Sequence, residues 1–187
     1  TNKDLVLPDM NKDGQYITEI AAAQTGSYGL LGAEGEGFTS VSLPSRVEII
    51  GAKAFQNNGI EEVAFPSTLT TIGLAAFQTN QLTSVILPDS VTSLGGGAFA
   101  TNPKIERINI SKGLTEIPAG AFGCSDADNW MTNLTSIDIP DNVIYIGDNA
   151  FNYCYNLKNV NIPDSVTYMG KQVFYLCENL LSVNLSF

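Results

Sequence analysis

Residues 82–104, LTSVILPDSVTSLGGGAFATNPK, contain the pattern that the rest of the chain repeats. A strand-like run ends at the turn of Pro88. A second apolar pair precedes Gly95, and the pair Ala98 and Phe99 follows it. The same order recurs through most of the 187 residues. The chain is therefore built from copies of one short structural unit.

The spacing within the unit is constant. A phenylalanine follows the turn position by 11 residues in all six copies, and a glycine follows it by 7 residues in five of them, with Pro118 in the sixth. The turn positions are Pro44, Pro66, Pro88, Ser111, Pro140 and Pro163, and the aromatic positions are Phe55, Phe77, Phe99, Phe122, Phe151 and Phe174. One copy is longer by about six residues, which lie within 123–133.

A period of 22 or 23 residues is typical of a solenoid, in which each unit stacks on its neighbours because it cannot bury its apolar side alone. Alternation sends Leu82, Val85 and Leu87 inward, so stacked copies predict a parallel sheet. The piece 95–100 predicts one or two helical turns on the opposite side. The repeated phenylalanines are expected to stack as a spine, with the repeated alanines beside them.

The repeat, L-x-x-V-x-L-P-x-x-V-x-x-I-G-x-x-A-F-x-x-C/N, resembles the BspA-like class of bacterial leucine-rich repeats over residues 38–187. The resemblance implies an α/β solenoid with a parallel β-sheet on one face and short helical turns on the other. The handedness of parallel connections favours a right-handed stack. The resemblance further implies an exported or surface-anchored bacterial protein, in a class associated with adhesion to host matrix or to other cells and without shared catalytic residues.

The pattern divides the chain into a divergent N-terminal repeat with two insertions, residues 1–37, and regular leucine-rich repeats over residues 38–187. The second insertion, 26–37, is rich in glycine. The regular repeats are 38–59, 60–81, 82–104, 105–133, 134–156 and 157–179, with a partial strand at 180–187.

A weak metal candidate lies in the first insertion. Asp9, Asn11, Asp13 and Gly14 match the opening D-x-N-x-D-G of a calcium loop. The twelfth position, which requires a bidentate glutamate, is Ile20. The alternative is a polar turn in which Asn and Asp bind their own backbone. We expect neither a metal nor another cofactor.

Charge and composition exclude several kinds of partner. The formal net charge is −10, and the nine Lys and Arg residues are scattered. Phosphate-backbone binding needs clustered cations, so nucleic acid is not an expected partner. No run approaches the roughly 20 apolar residues that cross a bilayer, and we expect no membrane insertion.

Catalysis is not expected either. The chain has no histidine, which removes Ser-His-Asp and Cys-His catalysis and His-ligated zinc. The outward acids Glu62 and Asp138 lie three strands apart, roughly 14 Å at about 4.8 Å per strand. Paired glycosidase carboxylates need about 5 to 9.5 Å. The sequence therefore predicts a protein that is not an enzyme.

The three cysteines belong to the repeat. Cys154 and Cys177 follow the repeat phenylalanine by three residues, where Asn58, Asn80 and Asn102 stand in other copies. Cys124 follows Phe122 by two. Cysteine is among the residue types most often buried, which favours buried thiols. A disulfide between Cys154 and Cys177 stays open, because stacked repeats bring the two positions within bridging range.

The candidate binding residues are Trp130, Met131, Asp126 and Asp128 in the long repeat, and Arg107 and Asp138 on the outward side of the predicted sheet. Insertions in solenoids form surface loops and often binding faces. Trp130 is the only tryptophan. It could equally pack back onto its own repeat.

Two functions are compatible with these observations. The first is a secreted or cell-surface binding and adhesion module, monomeric, that recognises a host matrix protein, a cell-surface protein or a glycan. The alternative is a structural spacer in a larger surface protein. A spacer needs no exposed anchor, whereas a binding module does.

Overall fold

The protein, as a computed structural model, is a parallel-strand solenoid, described here for residues 4–23, 38–124 and 130–185. Each repeat supplies a longer strand before its Pro turn and a two-residue strand after it. The longer strands are β1 (Asp4–Val6), β3 (Ser40–Ser42), β5 (Glu62–Ala64), β7 (Ser84–Ile86), β9 (Arg107–Asn109), β11 (Ser136–Asp138), β13 (Asn159–Ile162) and β15 (Ser182–Leu185). The short strands are β2 (Glu19–Ile20), β4 (Ile49–Ile50), β6 (Thr71–Ile72), β8 (Ser93–Leu94), β10 (Glu116–Ile117), β12 (Tyr145–Ile146) and β14 (Tyr168–Met169).

Strands pair in parallel with the equivalent strand of the neighbouring repeat. Ser40 of β3 pairs with Glu62 of β5, and Ile50 of β4 pairs with Ile72 of β6, which is the register that the repeat length dictates. The N-terminal strands β1 and β2 pair with β3 and β4, so residues 4–23 extend both walls. The solenoid thus has two strand walls where one was expected.

The predicted helical turns are wrong, since the described residues contain no helix. Between 95 and 100 the chain makes consecutive turns, in which the N–H of Ala98 donates to Gly95 O over 3.2 Å. The alternate N–H groups donate to carbonyl groups of the next repeat. Gly97 donates to Ala119 O and Phe99 donates to Ala121 O, each over 2.9 Å. Six residues cannot offset the cost of helix nucleation. The neighbouring repeat supplies acceptors instead, and the turns form a third hydrogen-bonded wall.

The aromatic spine is confirmed. Neighbouring repeat phenylalanines stack with ring centroids from 5.1 Å for Phe55–Phe77 to 5.8 Å for Phe151–Phe174. Five of the six rings are fully buried. The adjoining alanines are buried beside them, at Ala54, Ala76, Ala98, Ala121 and Ala150. The spine fills the space between the turn wall and the strand walls.

Buried asparagines join the turn wall to the longer strands. Asn102 Nδ2 donates to Phe77 O over 3.0 Å and to Phe99 O over 2.9 Å, and its Oδ1 accepts from Leu82 N over 3.1 Å. Asn80 makes the same set of bonds one repeat earlier. A buried amide is stable when its donors and acceptor are satisfied in this way. Asparagine at this position therefore holds two successive repeats together.

The repeated glycines allow the repeats to approach closely. A Cβ on Gly95 would lie 2.3 Å from the backbone nitrogen of Leu74 in the preceding repeat. The Gly95 N–H also donates to Ile72 O over 2.8 Å. Pro118 occupies the equivalent position and has no N–H to donate. The wall of short strands is accordingly interrupted there, between β8 and β10.

The wall of longer strands is interrupted between β5 and β7 and between β9 and β11. At the first interruption, Thr83 N still donates to Glu61 O over 3.0 Å. At the second, no backbone hydrogen bond joins residues 105–110 to residues 134–139. The lengthened segment 123–133 connects these two stretches. The turn wall continues across the long repeat, where Phe122 N donates to Ala150 O over 3.0 Å.

Removing one ring of the spine tests its contribution to stability. Phe99→Ala should lower the free energy of unfolding by about 3 to 5 kcal/mol, because it deletes a fully buried ring in contact with stacked neighbours. Urea denaturation measures the change. The control is Leu74→Ala, whose side chain is 55% exposed and whose loss should be nearly neutral. Equal changes in the free energy of unfolding for the two substitutions would contradict a stabilising role of the stacked phenylalanines.

A second test concerns the left-handed turn residues. Gly97 has φ +61°, and a Cβ there would meet its nearest neighbour at 3.8 Å, so Gly97→Ala adds no clash. The substitution should still cost about 1 kcal/mol, the penalty of a left-handed alanine. Lys53 occupies the same turn position with φ 58°. Lys53→Gly should be stabilising by a smaller amount in the same urea titration. A stabilising Gly97→Ala would show that this turn is not left-handed in solution.

Candidate functional site

The interruption between β9 and β11 opens a groove on the wall of longer strands. The groove has a volume of about 370 Å³. Arg107 at the start of β9 and Asp138 at the end of β11 both line it, so the structure brings two of the expected binding residues to one place. Its other outward side chains are Ile86, Glu106, Asn109 and Ser136.

The groove combines an apolar anchor with charged groups. Ile86 is 48% exposed, and its partner on β9 is the polar Asn109. Asp138 Oδ1 accepts from Asn161 Nδ2 over 3.4 Å. Arg107 forms no ion pair or side-chain hydrogen bond with any described residue. An unpaired guanidinium with five donors is suited to binding a carboxylate or a carbonyl group.

Arg107 also borders a second hollow on the same wall. This hollow has a volume of about 530 Å³ and includes Ser40, Glu62, Ala64 and Ser84. The two hollows lie on either side of β9. Arg107, one of the candidate binding residues predicted from the sequence, is therefore the central cation of this surface.

The candidate residues of the long repeat do not form one exposed cluster. Asp126 and Asp128 lie outside the described residues. Trp130 is half-buried and packs on Tyr155, with ring centroids 4.9 Å apart, and on Tyr153 at 6.1 Å. Its partners thus belong to the following repeat. The Trp130 Nε1 is buried and meets no acceptor among the described residues.

Met131 was a candidate binding residue, but its side chain is not exposed. The side chain is fully buried in the core, and its N–H donates to Tyr153 O over 3.0 Å. Burial follows because the chain must return from the longer segment to the common core before Leu134 begins the next repeat. Met131 therefore contributes to packing and not to a binding surface.

The calcium-like motif forms a backbone turn. Asn11 Oδ1 accepts from the N–H groups of Asp13 and Gln15, over 2.9 and 3.0 Å. Asp9 Oδ1 accepts from Ser45 N over 2.7 Å, and this bond lowers the pKa of the Asp9 carboxyl. Asp89 makes the equivalent bond to Lys112 N over 3.1 Å. Asp9 is thus a repeat feature, and no group of potential metal ligands is found among the described residues.

The three cysteines are buried, and no disulfide joins them. Cys177 Sγ donates to Phe151 O over 3.3 Å, which reproduces one of the bonds made by asparagine in the other repeats. The hydrogen bond with the Cys177 thiol, followed by burial, raises the pKa of Cys154 well above its ordinary value. A protonated, buried thiol is a poor nucleophile and a poor metal ligand. Cys154 is therefore a structural residue.

One exposed feature was missed by the sequence reasoning. The rings of Tyr145 and Tyr168 stack at 4.8 Å with an interplanar angle of 3°, on the wall of short strands. They are 38% and 50% exposed. The wall itself was not expected, and so the outward direction of these two side chains could not be assigned. The spacing of 23 residues between them was the available signal.

No helix in the described part of the chain is long and apolar enough to cross a membrane.

Solved structures similar to this chain are bacterial leucine-rich repeat proteins. One is a leucine-rich repeat protein of T. pallidum, at 25% identity and a TM-score of 0.72, with 96% of this chain and 78% of that chain covered. A leucine-rich cell surface protein of Faecalibacterium prausnitzii has 24% identity and a TM-score of 0.55, with 98% and 60% covered. A leucine-rich repeat protein of Bacteroides ovatus has 24% identity and a TM-score of 0.64, with the same coverage. The chain spans only about 60% of the length of the latter two proteins.

No match was found among curated proteins. The model of the BspA-type leucine-rich repeat region matches residues 34–129 and 128–187, with six copies of the repeat. These two ranges cover most of the sequence, and residues 4–23, which extend both strand walls, precede them. The chain therefore belongs to the family of BspA-type leucine-rich repeat proteins.

Proposed function

We propose that this protein is a non-catalytic binding module at the cell surface or outside the cell, and that it binds a protein partner through the wall of longer strands. The observation that carries the proposal is the unpaired Arg107 at the centre of that wall, between two hollows. The similarity to a leucine-rich cell surface protein supports the location.

The chemistry of the groove favours a protein partner. Binding hot spots are enriched in arginine, and they combine a desolvated centre with a polar surround. Here Ile86 supplies the apolar contact, Arg107 supplies a cation, and Asn109 and Ser136 supply neutral hydrogen-bonding groups. Asp138 and Glu106 give the groove a mixed charge pattern, which selects one orientation of a bound segment.

The test is binding to immobilised fibronectin, laminin and type IV collagen, measured on a biosensor at two salt concentrations. The wild-type protein should bind at least one of them. Arg107→Glu should weaken that binding by about tenfold or more, because it replaces the central cation by an anion that repels a carboxylate of the partner. Ile86→Ser should weaken it by a smaller factor. The weakening should be less at high salt, where exposed charges are screened.

The matched control is Lys171→Glu, the same change of charge at an exposed site away from the groove. It should bind as the wild type does. Equal loss in Lys171→Glu and Arg107→Glu would indicate a dependence on net charge alone and would contradict the groove. Absence of binding to all three proteins would favour the spacer function.

A further inference from the structure

The turn wall carries a trough of about 410 Å³, on a different side of the molecule from the groove. We infer that this trough binds a neutral oligosaccharide. The inference stands apart from the proposed protein partner, because it rests on other residues and another wall.

The trough arises from missing side chains at Gly97, Ala100 and Gly120, whereas the Asn152 side chain already fills the space beside Gly123. Two outward positions of each turn, two residues before the spine phenylalanine and one residue after it, line this wall. In the repeats at 82–104 and 105–133 these positions hold only glycine or alanine: Gly97 and Ala100, then Gly120 and Gly123. The other repeats carry larger side chains at one or both positions, at Lys53, Gln56, Gln78, Asn149, Asn152, Gln172 and Tyr175.

The ends of the trough carry amide groups. Gln78 Oε1 accepts from Gln56 Nε2 over 2.6 Å, and this row of amides stops at Ala100. The Nε2 group of Gln78 consequently has no hydrogen-bond acceptor among the described residues. At the opposite end, Asn149 and Gln172 also make no side-chain hydrogen bond within the described part of the protein. Each amide offers both donors and an acceptor.

Two tyrosines also line the end of the trough at which Asn149 and Gln172 lie. Tyr153 and Tyr175 meet edge to face, with ring centroids 5.9 Å apart and an interplanar angle of 85°. Tyr175 is 46% exposed. An exposed aromatic surface packs well on the C–H faces of a sugar ring, and the phenol provides a polar end.

The described lining carries no charge. Among the described residues, no Lys, Arg, Asp or Glu lines the trough, although the chain carries 28 such residues, 19 acidic and 9 basic. Sugar hydroxyls donate and accept hydrogen bonds as the amides do. From the repeat of Gln78 to that of Tyr175 there are four repeat steps, roughly 19 Å at about 4.8 Å per step. The trough is therefore suited to a neutral, elongated sugar chain.

The test uses maltohexaose, cellohexaose and mannohexaose with the whole chain, by saturation-transfer NMR and by calorimetric titration. At least one should bind. Gly120→Gln should weaken that binding by tenfold or more, because it fills the trough. The substitution has room, since a Cβ on Gly120 meets nothing within 4 Å, and Gln172 already occupies the same turn position with φ 56°.

Tyr175→Ala, at an exposed side chain, provides a second variant that does not depend on a turn glycine and should weaken the binding similarly. Lys53→Gln, at the same turn position but outside the trough, should bind as the wild type does. Arg107→Glu should also leave oligosaccharide binding unchanged, which separates this site from the groove. Failure of all three sugars to bind, unchanged binding in Gly120→Gln, or binding of a sulfated hexasaccharide alone would each overturn the inference.

Discussion

The structure depends on the distance between one repeat and the next. Backbone hydrogen bonds between equivalent residues set that distance on three walls, and the stacked phenylalanine rings, 5.1 to 5.8 Å apart, match it in the core. Glycines such as Gly95 make the approach possible, because a side chain there would collide with the preceding repeat. Because the repeats have one spacing, each side chain lies beside the side chain at the equivalent position of the neighbouring repeat, and equivalent positions form rows along the solenoid. A substitution at one position therefore alters only the row to which that position belongs.

The long repeat shows how such a lattice accommodates an irregularity. Pro118 removes a hydrogen bond from the wall of short strands on one side of this repeat, and β11 fails to pair with β9 on its other side. The turn wall and the phenylalanine spine continue through it without interruption. Because hydrogen bonds on three walls hold neighbouring repeats together, pairing on two walls can be interrupted locally while the turn wall and the core keep the repeats stacked. The groove at Arg107 is one result of this opening.

The two candidate surfaces use the lattice in opposite ways. The groove is made by a failure of strand pairing, and its lining is charged and partly apolar. The trough is made where pairing is intact but side chains are small, and its described lining residues carry no charge. An acidic protein of net charge −10 thus has two hollows whose described residues differ in charge.

The sequence by itself determined the repeat, its register, the buried spine and the parallel stacking. Each of these follows from a period and from apolar positions, which are local properties of the chain. It also led to the correct burial of the cysteines, since they occupy a fixed position in the repeat. In Arg107 and Asp138 it identified two residues that the structure brings to the same groove.

Only the tertiary structure decided how the segment at 95–100 satisfies its backbone. Local propensity predicted helical turns, but the acceptors for Gly97 and Phe99 belong to the next repeat and cannot be read from six residues. With that segment assigned to helix, the outward rows of the turn wall were unknown, and the trough at Gly97 and Gly120 could not be recognised. The burial of Met131 could not be derived from the sequence for a similar reason, because it depends on how the longer segment rejoins the core. Properties that repeat along the chain are encoded locally, whereas the contacts that depend on a neighbouring repeat exist only once the repeats are stacked.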